Sequence, residues 1–208
     1  DETVPELPTV DISSNNNNGA TFAKVGDVIT ISVSASENIQ TPTVTIAGNA
    51  AAIATGSNGE RVYTATYTMQ SSDNTGVIPF TVDFSDMANN AGTQVTAVAN
   101  DSDGGVTFDK QAPSFTTVTM SSDNSTSTLA IVNDVITLSL TSEEGIKAGS
   151  DPTITVNGNT ATVTRNSATS FTATYTMSSP ADDAIDGSSI PINISAYTDA
   201  TGNIGTTV

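Results

Sequence analysis

The chain has 208 residues, with 22 acidic side chains against 5 basic ones, a formal net charge of −17, and neither cysteine nor histidine. That charge repels nucleic acid and anionic membrane surfaces, and the missing residue types exclude a disulfide framework, a zinc site, a thiol nucleophile and a Ser-His-Asp triad. Hydrophobic residues make up 36% and charged residues 13%, and Thr, Ser, Asn and Gly fill much of the rest, which is the palette of a β-sandwich and too apolar for a disordered linker.

In chain order, the opening "DETVPEL" places Pro5 and Leu7 after Asp1, and "TVDISSN" (9–15) is the first strand. "NNNN" at 15–18 reads as a flexible turn. In the second strand Ile29, Ile31, Val33 and Ala35 alternate with Thr30, Ser32 and Ser34, so one face enters a core and the other meets water. "PTVTIAGNAA" (42–51) follows, then "YTATYTM" (63–69), where Tyr63, Ala65, Tyr67 and Met69 alternate with threonines suited to a solvated pleat. Ile78, Phe80, Val82 and Phe84 repeat the pattern in the sixth strand, and Pro79 within it reads as the strand's first residue or a bulge, because proline cannot donate to a ladder.

At "VTFDKQAPSF" (106–115) the chain begins again: Asp109, Pro113 and Phe115 reproduce the spacing of Asp1, Pro5 and Leu7. "VNDVITLSLTSEE" (132–144) matches "VGDVITISVSASE" (25–37), "PTITVNGNTA" (152–161) matches 42–51, and "FTATYTM" (171–177) matches 63–69. "IPINISAYTDATGNIGT" (190–206) matches "IPFTVDFSDMANNAGT" (78–93) with one inserted residue, and brings Pro191 opposite Pro79. Two copies of one domain follow, at 1–108 and 109–208, each with about seven short strands and no amphipathic helical stretch. The expected fold is all-β: two tandem immunoglobulin-like antiparallel β-sandwich domains. Aligning Gly205 with Gly92 makes Val208 the counterpart of Val95, so the last strand of the second domain reads as truncated and the chain as a piece of a longer array.

These motifs, with the Asp-to-Pro linker, the "SE" closing the second strand and "DMANNAGT" or "DATGNIGT" near the sixth, resemble the bacterial immunoglobulin-like repeats of large cell-surface adhesins. The resemblance covers essentially the whole chain, with Asn89 standing where the second copy has Gly202. It implies a structural repeat in an extracellular stalk, often stiffened by calcium and flanked by neighbouring repeats.

In such a sandwich the chain entry and the loops after the second and sixth strands share one pole. For the second copy these carry Asp109, then Glu143 and Glu144, then Asp199 and Asn203; for the first, Asp1 and Glu2, then Glu37, then Asp86 and Asn90. Carboxylates converging from separate loops repel unless a cation joins them, and an all-oxygen ligand set suits Ca2+. The competing reading is that each acid caps a turn or faces water. Asp101 and Asp103 in "NDSDGG" (100–105) could extend the site, although a tight Asp-Gly turn explains them as well.

The leading function is therefore a non-catalytic, calcium-stiffened extender at the bacterial surface or in a secreted protein. The alternative is a carbohydrate- or ligand-binding module meeting a surface glycan or protein receptor. With no Trp, the aromatic candidate for a sugar platform is Tyr197, standing where the first copy has Ser85. A glycosidase would need a carboxylate pair with one raised pKa in an enclosed cleft, and no motif suggests it, so no enzyme and no catalytic residue is expected. No apolar run approaches the roughly 18 to 20 residues that span a bilayer, so direct membrane insertion is not expected either.

Overall fold

The computed structural model describes residues 2–98, 105–178 and 188–208, and the chain divides into two compact units, Asp1–Lys110 and Gln111–Val208. The division falls just beyond the boundary drawn from the repeat. Asp109 donates its N–H to Ala23 O at 2.8 Å, and Lys110 Nζ reaches the carbonyls of Ser71 and Asp73 at 2.9 and 2.7 Å, so both residues are tied to the first unit.

The first unit contains β1 (Thr9–Ser14), β2 (Phe22–Ala23), β3 (Val28–Ile39), β4 (Thr43–Ile46), β5 (Asn49–Ala50), β6 (Ala52–Thr55), β7 (Glu60–Thr68), β8 (Gly76–Val77), β9 (Phe80–Asp83) and β10 (Thr107–Phe108). One sheet runs β1-β3-β7-β6 and the other β5-β4-β9, the latter extended by Val95, which exchanges both backbone hydrogen bonds with Val82 at 2.8 and 3.1 Å. Among the principal strands this is first, second, fifth and fourth against third, sixth and seventh, the order of an immunoglobulin-type sandwich.

Alternation decides which side chains fill it. Ile29, Ile31, Val33 and Ala35 of β3 share one buried cluster with Val10 and Ile12 of β1 and Tyr63 and Ala65 of β7 from the same sheet, and with Val44, Ile46, Phe80 and Val82 of the other sheet. Each buried Val, Ile or Phe side chain among them contributes about 1.5–3 kcal/mol on leaving water. A small third sheet, β2-β10-β8, closes the far end, with β10 parallel to β2 and antiparallel to β8.

The second unit repeats the plan with β11 (Phe115–Ser122), β12 (Val135–Ser142), β13 (Thr153–Val156), β14 (Asn159–Thr160), β15 (Thr162–Arg165), β16 (Ser170–Thr176) and β17 (Ile192–Ser195). Its sheets are β11-β12-β16-β15 and β14-β13-β17. Val208 exchanges backbone bonds with Ile194 at 2.8 and 3.1 Å, as Val95 does with Val82. The core has its own cluster, including Ile136, Leu138, Leu140, Ile154, Val156, Phe171 and Ile194. All strand pairs are antiparallel here, and no helix occurs among the described residues of either unit.

Several local expectations are refined. Pro79 and Pro191 sit immediately before β9 and β17 rather than within them, and each uses only its carbonyl, accepting from Ala47 N–H and Asn157 N–H at 2.8 Å. The "NNNN" turn is not loose. Asn15 Oδ1 accepts from Val28 N–H at 2.8 Å, and buried Asn16 donates from Nδ2 to Asp27 Oδ2 at 2.6 Å. The inserted residue of the second copy is Ala196, which takes a left-handed φ of 57° directly after β17, where Ser195 still pairs with Thr153 as Asp83 pairs with Thr43. An extra residue absorbed in that conformation is a β-bulge.

The insertion corrects the reading of Tyr197. It occupies the place of Phe84, not of Ser85, and is wholly buried, with its hydroxyl donating to Thr206 O at 2.7 Å. Burial pushes its pKa above the ordinary 10.0, and the bond to Thr206 partly offsets this. Gly92 and Gly205 explain the equivalence: a Cβ on either would collide with the ring of Phe84 or Tyr197, respectively.

Candidate calcium-binding pole

In each unit the loop after the sixth principal strand is organised by one buried aspartate. Asp86 Oδ1 accepts from the N–H groups of Ala88 and Asn90 at 2.8 and 2.7 Å, and its Oδ2 accepts from Asn90 Nδ2 at 2.7 Å. Asp199 Oδ1 accepts from Thr201 Oγ1, Gly202 N–H and Asn203 N–H at 2.8, 2.7 and 2.9 Å, and its Oδ2 from Asn203 Nδ2 at 2.8 Å. Their exposures are 1% and 2%. Burial by itself would raise the pKa of Asp86, but the Asn90 amide and the Asn90 and Ala88 N–H groups outweigh it and hold the carboxyl below its usual 3.8. The turn needs a left-handed residue, supplied by Asn89 (φ 71°) in one unit and Gly202 (φ 91°) in the other, so the mismatch at this position preserves the backbone conformation.

The end of the second principal strand in the first unit, and the loop after that strand in the second, meet this aspartate. Ile39 bridges Asp86 and Ile146 bridges Asp199, while Gln40 N–H bonds Ser85 O and Lys147 N–H bonds Thr198 O, each at 2.8 Å. In the second unit, Glu144 and Asp199 each offer a carboxylate oxygen, and the two lie within 4.8 Å of each other. Glu144 is half-buried, and its Oε1 is screened from solvent. Ser142 fixes the approach: its Oγ donates to Glu144 O at 2.5 Å, and its N–H is held by Thr169 O at 2.8 Å.

The remaining expected ligands divide. Asn203 holds Asp199 through its amide nitrogen and is a positioning residue in this arrangement. Glu143 faces the chain entry instead: its N–H bonds Ser114 O at 2.9 Å and its Oε2 accepts from Ser114 Oγ at 3.2 Å. Asp109 belongs to the first unit, where its backbone is tied to Ala23.

In the first unit Asn90 holds Asp86 just as Asn203 holds Asp199, and Glu2 is exposed. Glu37 is not in a loop: β3 runs on to Ile39, with its pairing to β7 interrupted between Ser34 and Ile39, and Glu37 sits half-buried inside that irregularity. Asp1, Asp101 and Asp103 lie outside the described residues.

Two participants escaped the sequence reading. Ser142 stands at an inward position where the first copy has Ala35, and a polar residue on the buried face was its signal. Thr201, also buried, adds a hydroxyl donor to Asp199 that Ala88 cannot supply. None of the 6 Phe and 4 Tyr residues, all among the described ones, is exposed, and Phe22, Tyr67, Phe115 and Tyr175 are half-buried.

No family model matches the chain, and no curated protein matches it. Among solved structures it is similar to an Ig tandem from titin, at 11% identity and a TM-score of 0.28, over 90% of this chain and 60% of that one. The chain thus spans less than two thirds of that tandem, and the fold assignment rests on the strand order described above.

Proposed function

We propose that the chain is a non-catalytic pair of immunoglobulin-like repeats in the extracellular stalk of a bacterial surface adhesin, stiffened by calcium at the domain poles and at the linker. Neighbouring repeats of the same kind are its partners, and it works outside the cell, at the surface or secreted. The observation that carries the calcium part is the approach of Glu144 to Asp199 within 4.8 Å, with both groups shielded from water. Two like charges at about 4 Å repel by on the order of 4 kcal/mol at an effective dielectric of about 20. A divalent cation reverses the sign of that contribution.

The donor set fits the ion. All candidate ligands are oxygens, and no nitrogen or sulfur ligand is available from a chain lacking His and Cys. Glu144 and Asp199 would hold calcium in the second unit, Ser142, Thr201 and Asn203 would keep them in place, and Asp109 would join from the linker. In the first unit Asp86 and Glu37 would take the same roles, with Asp1 from the chain entry.

Thermal melts in EDTA and in a few millimolar Ca2+, with small-angle scattering on the same samples, test the proposal. Calcium at about 100 times Kd should stabilise by roughly 2.7 kcal/mol per site, and about 4–8 °C accompanies each kcal/mol in domains of this size. A raised Tm with a more extended scattering profile is the expected result. Glu144→Gln should abolish the calcium response of the second unit and, by removing a like charge from beside Asp199, raise its melt in EDTA. A melt and a profile both indifferent to calcium would end the ion's role and leave Asp86 and Asp199 as loop caps in a flexible spacer.

A further inference from the structure

The two units hold one carbonyl by different chemistry. In the first, buried Tyr63 has its Oη 3.0 Å from Ile39 O and 2.6 Å from Ser57 O, so a single phenolic proton serves both acceptors. In the second unit the matching ring is Phe171, equally buried and without a hydroxyl. The carbonyl of Ile146, the counterpart of Ile39, is nevertheless satisfied. Arg165 Nη1 donates to it at 3.1 Å and to Ser167 O at 3.4 Å.

The residue set against each ring differs in the opposite sense. Arg165 pairs with Phe171 one step beyond the pair Thr164 and Thr172, and its guanidinium lies over the ring with Cζ 4.8 Å from the centroid. One step beyond the matching pair of the first unit, Thr55 and Thr64, Gly56 stands against Tyr63, and a Cβ there would fall 2.4 Å from the ring. A Tyr with a Gly in one unit thus corresponds to a Phe with an Arg in the other.

The guanidinium also reaches further than the phenol. Its Nε donates to Asp151 Oδ1 at 2.7 Å, and its Nη2 forms an ion pair with the same oxygen and donates to Lys147 O at 2.9 Å. Both ends of the segment 146–151 are therefore held by one side chain. That segment begins two residues after Glu144 and makes two backbone contacts with the Asp199 loop: the bridge from Ile146 to Asp199 and the bond from Lys147 N–H to Thr198 O. Asp151 is 41% exposed, so the ion pair contributes little, and the carbonyl bonds from a charged, planar fork carry the effect.

We infer that Arg165 is a positioning residue for the acidic pole of the second unit: its guanidinium takes over the support that the Tyr63 hydroxyl gives in the first, and it sets the approach of Glu144 to Asp199. Its effect on calcium rests on the proposal that the pole binds the ion. Its hold on the loop does not.

The test uses the full chain, labelled with 15N, as Arg165→Met and as the double variant Arg165→Gly with Phe171→Tyr, which installs the pair of the first unit. In EDTA, amide exchange at Ile146 and Lys147 should rise about tenfold or more in Arg165→Met, from the loss of bonds to a charged donor. Gln40 of the first unit and Leu138 in the core of the second should stay unmoved. In calcium titrations followed at the Glu144 and Asp199 amides, Arg165→Met should weaken binding about 10- to 100-fold, the usual effect of removing an outer-shell partner. The double variant should return both readouts towards the parent protein, which a loss of packing alone would not do. Unchanged exchange at Ile146 and Lys147 in Arg165→Met would overturn the proposal, as would an equal rise at Leu138, because Arg165 would then hold the whole sandwich. Failure of the double variant to recover would overturn it as well, by removing the equivalence with Tyr63. Exchange and recovery as expected in a parent protein indifferent to calcium would uphold the support of the loop and end the calcium reading alone.

Discussion

Where the first unit turns between β4 and β5 at Ala47–Gly48, the second turns between β13 and β14 at Asn157–Gly158. Both pairs lie in the left-handed region, with φ of 53° and 79° in one and 48° and 78° in the other. The same exchange recurs at Gly26 (φ 91°) and Asn133 (φ 77°), and at Asn89 and Gly202. The repeated requirement is a conformation, and Gly and Asn meet it at low cost; Ala does not. Divergence between the copies therefore costs little where Gly and Asn exchange, and costs strain at Ala47.

The comparison can be broken most forcefully at β10. Phe108→Ala would remove a completely buried aromatic from the first unit and leave a cavity beneath β10. A loss of about 3–5 kcal/mol is expected for the first unit alone. Scanning calorimetry should show one transition falling and the other unmoved, and a joint shift of both would mean that the units do not melt independently.

Next come the glycines beneath the rings. Gly92→Ala and Gly205→Ala should each cost about 1–3 kcal/mol through crowding of Phe84 and Tyr197. Denaturant melts of the two variants should give matching losses in opposite units. Unequal losses would show that the bulge at Ala196 lets the second unit yield.

Smaller effects are expected at the left-handed turns. Ala47→Asn should stabilise the first unit and Asn157→Ala destabilise the second, each by about 1 kcal/mol, and Ala196→Gly should stabilise by a similar or smaller amount. Equal melting of Ala47→Asn and the parent protein would sink the idea that the turn in the first copy is strained.

The mildest difference is one of pH. For Asp27, burial raises the pKa, but the Lys24 N–H, the Lys24 ammonium and the Asn16 amide outweigh it, so the net position is below 3.8. A depressed carboxyl contributes stability that is present above its unfolded value and lost as pH falls through the folded value. Asp86 follows the same sign. The melting temperature of the first unit should therefore fall as pH drops through and below about 4. Asp27→Asn should flatten part of that slope, and an unchanged slope would remove Asp27 from the account. The second unit has Ile131 where the first has Lys24, so its matching aspartate, Asp134, has no ammonium from that position.

Much of the fold was legible because the period of two survives in nearly every strand: the inward set of β3, Ile29 through Ala35, is buried as the alternation requires. Self-comparison located the inserted residue within the sixth strand but not its position, and this is why Tyr197 was matched with Ser85 and read as a surface residue. Ring packing over Gly205 settles the register, and packing over a glycine leaves no trace in a pattern of apolar alternation. For the candidate site, sequence spacing identified Asp86, Asp199 and Glu144. It could not tell ligand from support, because Asn203, Thr201 and Ser142 differ from a ligand only in where their donors point.

What the sequence determined by itself was the repetition of one unit and the all-β character of its strands. These follow from self-similarity and from hydrophobic periodicity, which are properties of the chain read along its length. Only the tertiary structure decided that Glu143 turns to Ser114 while Glu144 approaches Asp199, and that β10 closes the far end of the first sandwich. Adjacent residues in a bend share composition and spacing, and an apolar residue reads the same whether or not a partner strand covers it. Direction and burial exist only once distant segments have met.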